Sequence, residues 1–360
     1  MLEIKHTICP SCSVGCGINI VSKDGAIVGT YPYKRHPINE GKNCSNGRGS
    51  ILQFDNKINA PSLVQNGELV ESDAETILAN IKKELEAIDA SELGIICSDK
   101  NTNEEIDAIK KFAEDKGCEK IGFYGYNFPN FSGETANLND VLNAKTILAI
   151  GDIYKKNPLA ARRIILAKEK DGKLFNVDDV EQSITSLNAD EYQQFTDKES
   201  FASIIASFKD KLDGESVIVL NKIADADDFK LVEDLANETN AKLLPILNGP
   251  NSKGAMDKLK SLTKEEIVDL IDSSKVLIVV NDNLLDYLSE SDIKGKAFIA
   301  NISNFENEFT KFSNVVLPGK SWVEKTGSFT NCEGLTQEFD ISADLENENL
   351  SEIEIFEKLA

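Results

Sequence analysis

Cys9, Cys12, Cys16 and Cys44 are the residues of this 360-residue chain best suited to chemistry, spaced C-x2-C-x3-C-x27-C. Four thiolates can hold one cubane [4Fe–4S] cluster, one on each iron. Three come from the tight run Cys9-Pro10-Ser11-Cys12-Ser13-Val14-Gly15-Cys16-Gly17, and the fourth closes the cage from Gly41-Lys42-Asn43-Cys44. Such a cluster moves one electron at a time, so the quartet predicts redox chemistry. Pro10, Gly15 and Gly17 are expected to shape the loop so that backbone N–H groups face sulfur. Zinc is the alternative. Structural zinc favours paired C-x2–4-C hooks, and a single distant fourth cysteine fits that pattern less well.

The other reactive side chains read as structural. Cys97 and Cys118 fall at a strand end and after a helix, where thiols behave as small apolar residues. Cys332 is read the same way. His6 and His36 are the only histidines, too few for histidine-based proton transfer. His6, three residues before Cys9, is close enough in sequence to bond near the cluster; a surface or packing role is the simpler reading. The acid pairs Glu104-Glu105 and Asp178-Asp179 are expected to be solvated. Trp322 is expected to pack.

Composition bounds the setting. A chain this long should divide into two or three subdomains. There is no run of about 18 apolar residues to cross a membrane. Only eight residues precede Cys9, so no leader peptide is expected and the residence read is cytoplasmic. Seven cysteines in a reducing compartment suit metal better than disulfides. The net charge of −22 disfavours nucleic acid and anionic membranes as partners. Residues 1–60 run against that balance, with seven Lys and Arg against four Asp and Glu.

The elements that must position the cysteines follow from pattern. Ile18–Val21 and Ala26–Gly29 flank Asp24-Gly25, a hairpin signal. Ala60-Pro61-Ser62 marks a boundary. Apolar residues at helical spacing predict a helix over 74–88. Strand 93–97 and helix 103–116 follow, then strand 146–150, helix 158–170 and strand 173–177. Strand 216–220, a helix near 227–238, and strands 242–246, 275–280 and 297–300 complete the series. Apolar strands separated by helices predict parallel sheets covered on both faces. The fold class is therefore α/β, with a cluster module and interleaved, doubly wound subdomains. No G-x-G-x-x-G or P-loop lysine is present, and Gly151-Asp152 is a weak approach to one.

With these residues in view, the chain resembles the molybdopterin oxidoreductases, and within them the formate dehydrogenase alpha subunit. The resemblance rests on the cysteine run, Gly41-Lys42-Asn43-Cys44, Thr102-Asn103-Glu104-Glu105, and residues 143–177. It continues through Asn248 with Gly254-Ala255-Met256. Its most specific late stretch is Val315–Pro318 followed by Glu324-Lys325-Thr326-Gly327-Ser328-Phe329-Thr330-Asn331 and Glu333–Gln337. It implies a [4Fe–4S] module over 1–60, with 315–345 packed against it. It also implies one α/β subdomain from 61–130 with 215–314, a second over 131–214, and a C-terminal helix within 346–360.

Four departures bear on function. Asn46 stands where the family has a lysine linking cluster and pterin, with Lys42 or Arg48 as possible substitutes. The stretch Gly122–Asn130 contains neither the cysteine that ligates molybdenum or tungsten nor its neighbouring histidine. The loops Asp178-Asp179-Val180 and Gln194-Phe195-Thr196-Asp197 lack the arginine and glycine of pterin-nucleotide binding. The chain stops at Ala360, about where the last pterin-binding domain would begin. Complex I's large subunit offers a precedent for this kind of fold without pterin.

The expectation is an iron–sulfur electron-transfer subunit of a formate-dehydrogenase-like complex, without a complete molybdopterin centre of its own. Cys9, Cys12, Cys16 and Cys44 are its metal ligands, and no catalytic or pterin-binding residue is assigned. Its partners would be other redox subunits, iron–sulfur or flavin proteins. The alternatives are a molybdopterin or tungstopterin formate dehydrogenase completed by a partner, and a non-redox zinc module.

Overall fold

A computed structural model describes residues 1–131, 133–345 and 347–360. It places four sheets among those residues. The first is antiparallel and joins Leu2–Ile8, Gly17–Lys23 and Ala26–Pro32. Asp24 and Gly25 take positive φ values of 51° and 77°, as a two-residue hairpin turn between right-twisted strands requires. The loop carrying Cys9, Cys12 and Cys16 connects the first two strands.

Two parallel sheets form the body. The smaller runs in the order Glu191–Gln194, Lys173–Asp178, Thr146–Ile150, Ser216–Leu220, Lys242–Pro245. The larger runs Lys260–Leu262, Ile121–Tyr124, Leu93–Cys97, Val276–Val280, Phe298–Ile302, Val315–Leu317, and ends in the antiparallel pair Ser62–Gln65 and Glu68–Glu71. Leu93–Cys97, Ser216–Leu220 and Val276–Val280 are buried at every position, as sheets covered by helices require. One apolar core spans both sheets, joining Ile95 and Ile278 of the larger to Leu148 and Ile218 of the smaller.

The strands 216–220 and 242–245 correct the expected organisation. The expected subdomain of 61–130 with 215–314 puts them in the larger sheet, but they pair in the smaller one, and the chain returns to the larger sheet only at Lys260. Similarly, Val315–Leu317 belongs to the larger sheet rather than packing with the cluster module. An apolar strand fits the interior of either sheet, so burial alone does not choose its neighbour. Glu191–Gln194 and Lys260–Leu262 went unrecognised because they are short edge strands without an apolar run.

Helix starts are set by side chains. Thr102 accepts from Glu105 N–H while the Glu105 carboxylate accepts from Thr102 N–H, a reciprocal cap for Asn103–Asp115. Ser351 and Glu354 do the same for Glu352–Leu359. Glu105 and Asp178 are buried, contrary to the solvated reading of the two acid pairs. Asn251 is a fully buried junction. Its Nδ2 donates to Asn101 O at 2.9 Å, and its Oδ1 accepts from Thr330 N at 2.6 Å. This fastens the hairpin Gly327–Thr330/Thr336–Phe339 to the loop that follows strand Leu93–Cys97.

Candidate metal centre and the clefts around it

The loop 9–17 folds back on itself because Cys9 N–H donates to Cys16 O at 2.8 Å. Gly15, at φ 76°, makes the turn. A Cβ there would lie 2.1 Å from the Gln337 side chain, so glycine is required by backbone and neighbour alike. Asn39 then ties the distant cysteine to this loop. Its Oδ1 accepts from Gly17 N at 2.9 Å, and its Nδ2 donates to Gly17 O at 2.9 Å and Lys42 O at 2.6 Å.

As a result Cys9, Cys12, Cys16 and Cys44 line one small cavity, together with Asn43 and the start of helix Pro158–Lys168. Ser11, Val14 and Asn157 lie close enough to Cys9 and Cys12 to oppose the effect of burial on those thiols, and Gly47 N–H donates to Cys44 Sγ at 3.5 Å. Cys44 thereby caps Ser45–Gly49 through its sulfur. Burial pushes the Cys9, Cys12 and Cys16 thiols up, Cys12 to about 12, with further contributions from neighbouring cysteines. Holding them as thiolates needs positive charge in the cavity, which iron would supply. Among the described residues, no group of three or more His, Cys, Asp or Glu side chains gathers round a single ion position.

Gly47 controls the cavity wall. A Cβ at this position would meet Asn43 Oδ1 at 2.4 Å and Cys9 Sγ at 3.2 Å. Gly47→Ala is therefore expected to displace Cys9 and cut cluster content by at least half while the sheets persist. Iron analysis beside far-ultraviolet circular dichroism checks this.

The remaining residues distribute as follows. His36 has a positioning role that sequence reasoning missed: its Nδ1 accepts from Gly17 N at 3.1 Å, and burial holds its pKa below the usual range. His6 bonds Asn19 at 2.5 Å and stacks on Tyr33. Cys97 and Cys118 lie in the main core. Cys332 shares a core cluster with Cys9 and Cys16, and its N–H donates to Ser13 O at 2.7 Å. Trp322 packs on Phe54. Asn46, Lys42 and Arg48 are exposed. Asn39 was also missed; the turn Glu40-Gly41, with both residues at positive φ, was its only local signal.

Ligands of parallel sheets commonly bind at the carboxyl ends of the strands. At those ends of the larger sheet lies a cleft of about 260 Å³ reaching Pro10, Lys100, Asp282, Asp286, Trp322 and Lys325. Burial raises Asp282 to about 6, against the pull of Lys100. At the smaller sheet, Asp152 accepts from Lys155 N, Thr185 N and Ile184 N, so one carboxylate already serves two helix starts. Lys222 is held by Asp178 and Asp179.

Residues 2–56 match the family described as molybdopterin oxidoreductase Fe4S4 domain, and residues 30–360 that described as molybdopterin oxidoreductase. The F420-dependent formate dehydrogenase 1 subunit alpha of Methanococcus maripaludis is 36% identical over 208 residues, covering 54% of this chain and 31% of that protein. The F420-dependent formate dehydrogenase subunit alpha of Methanocaldococcus jannaschii is 34% identical over 207 residues, covering 53% and 30%. The matched region thus spans less than a third of these relatives. Acetylene hydratase from Pelobacter acetylenicus shares the fold, with a TM-score of 0.70 over 99% of this chain and 68% of that one, at 13% identity. Among the described residues no helix is long and apolar enough to cross a membrane.

Proposed function

The chain belongs to the molybdopterin oxidoreductase family, and its Fe4S4 domain indicates a [4Fe–4S] cluster; from that premise we propose that it is an iron–sulfur electron-transfer subunit of a formate-dehydrogenase-like complex, without a complete molybdopterin centre of its own. The observation that carries this reading is the convergence of four thiols, from two distant segments, on one cavity in which Gly47 N–H donates to the Cys44 sulfur. In this reading residues 1–60 form the cluster module, and Cys9, Cys12, Cys16 and Cys44 are the ligands. When bound, the cluster supplies one-electron transfer. A cubane places each thiolate on its own iron, so it does not need four sulfurs gathered round one point as zinc does.

The family also implies molybdopterin, and the residues present do not fit it. Its phosphates need unneutralised cations or free helix starts. At the smaller sheet those groups are taken by Asp152, Asp178 and Asp179. In the larger sheet's cleft, Lys325 is neutralised by Glu105 and Glu352, and Lys100 faces Asp282. Gly122–Asn130 offers no thiol or imidazole to a metal. No chemical step is therefore assigned to a pterin.

Partner redox subunits, iron–sulfur or flavin proteins, would deliver and remove the electron. The test is anaerobic purification of the chain with its co-purifying subunits, followed by metal analysis and viologen-linked formate oxidation. About four irons with sulfide per chain, and no molybdenum or tungsten, is the expected result. Stoichiometric molybdenum or tungsten with formate turnover would transfer the assignment to a catalytic subunit, and zinc would transfer it to a structural module.

A further inference from the structure

Glu105, Lys325 and Glu352 form a buried cluster of two acids on one base. Lys325 Nζ bonds Glu105 and lies 3.5 Å from Glu352 Oε1. Three separate segments supply them: the first turn of helix Asn103–Asp115, the loop before strand Gly327–Thr330, and the first turn of Glu352–Leu359. Asn281 Nδ2 donates to Glu352 Oε1 at 2.8 Å, while Glu352 Oε2 is buried with no partner. Fully ionised, the group carries one net negative charge out of water, a costly state that one added proton removes.

Its position gives that proton a use. Lys325 lines the cleft that also reaches Pro10, the neighbour of Cys9, so it stands between the buried acids and the solvent beside the cluster loop. The other charges facing this region come from Lys100, Asp282 and Asp286 across the cleft, Asp99 behind Asp282, Glu104 bonded to Ser328, and the Lys57–Glu324 pair. Acids outnumber bases among them. Added negative charge on the iron–sulfur cluster therefore meets more acid than base on this side of the loop.

We propose that Glu105, held by Lys325 and Glu352, takes up a proton when the cluster behind Pro10, across the cleft that Lys325 lines, accepts an electron, so that this chain stores the two together. The inference rests on the cluster assignment to Cys9, Cys12, Cys16 and Cys44. One electron arrives from a one-electron donor, one proton arrives from solvent through the cleft, and the Glu105 carboxylate becomes a carboxylic acid. Burial and the charge of Glu352 already raise Glu105 to about 7, within the range where this exchange can occur.

The experiment is a potentiometric titration of the full chain, cluster intact, with the reduced signal followed by electron paramagnetic resonance at pH 6, 7 and 8. The midpoint should fall as pH rises, approaching about 59 mV for each tenfold drop in proton activity, the limit of one proton per electron. Glu105→Gln should flatten this slope, and Glu105→Asp should preserve it. A wild-type midpoint that is the same at pH 6 and pH 8 would overturn the proposal. So would a slope that survives in Glu105→Gln. Absence of any cluster signal would remove the ligand assignment itself, and this inference with it.

Discussion

Cys12→Ser should reduce the iron content of the anaerobic protein from about four per chain to near zero, with loss of the visible absorbance and of the reduced paramagnetic signal. Cys12 is intermediate in overall exposure, but its sulfur is enclosed by the cavity. Its thiol, pushed up to about 12 first by burial, has no reason to ionise unless iron binds. Serine keeps the shape but is a poor ligand for iron in a sulfide cage. Cys97→Ser, altering a thiol buried in the separate main core, should leave iron content unchanged and serves as the control.

The second large effect is expected at Lys325. Lys325→Met leaves Glu105 and Glu352 buried without their cation. Removing one partner of such a group costs about 3–5 kcal/mol, read from the shift in a denaturant unfolding curve. The loss should be greater at pH 8 than at pH 5.5, because the orphaned acids can then escape only by breaking the packing around them. In the wild type the sign for Glu105 follows from its raised folded pKa. The native state binds the proton more readily than the unfolded chain, so this group's contribution is full below the ordinary glutamate range. It is lost as pH rises through about 7. Adding Glu105→Gln to Lys325→Met should restore part of the stability by removing one of the two buried charges.

How much of this could be read beforehand differs from residue to residue. The cysteine quartet was legible because three of its members share one short loop and only their spacing is needed to suggest a cluster. Strands such as Leu93–Cys97 and Val276–Val280 were legible from unbroken apolar runs. Which sheet Ser216–Leu220 would join was not, since both sheets offer the same buried environment. Glu105 looked like a dipole-favouring surface acid because its base lies 220 positions away. Asn39 and Asn251 were equally silent: a buried amide has no sequence pattern, and its value comes only from backbone groups brought to it by folding.

The walls of the cysteine loop have a consequence for how the protein is made. All four sulfur donors have been synthesised by position 44, yet Ser13 is fastened to Leu247, Ser13 again to Cys332, and Gly15 to Gln337. The ribosome delivers these supports between 234 and 322 residues after the loop positions they brace. An emerging N-terminus therefore exposes four oxidisable thiols with no finished cage around them. A finished cage around a cluster can therefore form only after Gln337 has been made, and until then shielding the early segment from oxygen falls to the cell rather than to the fold.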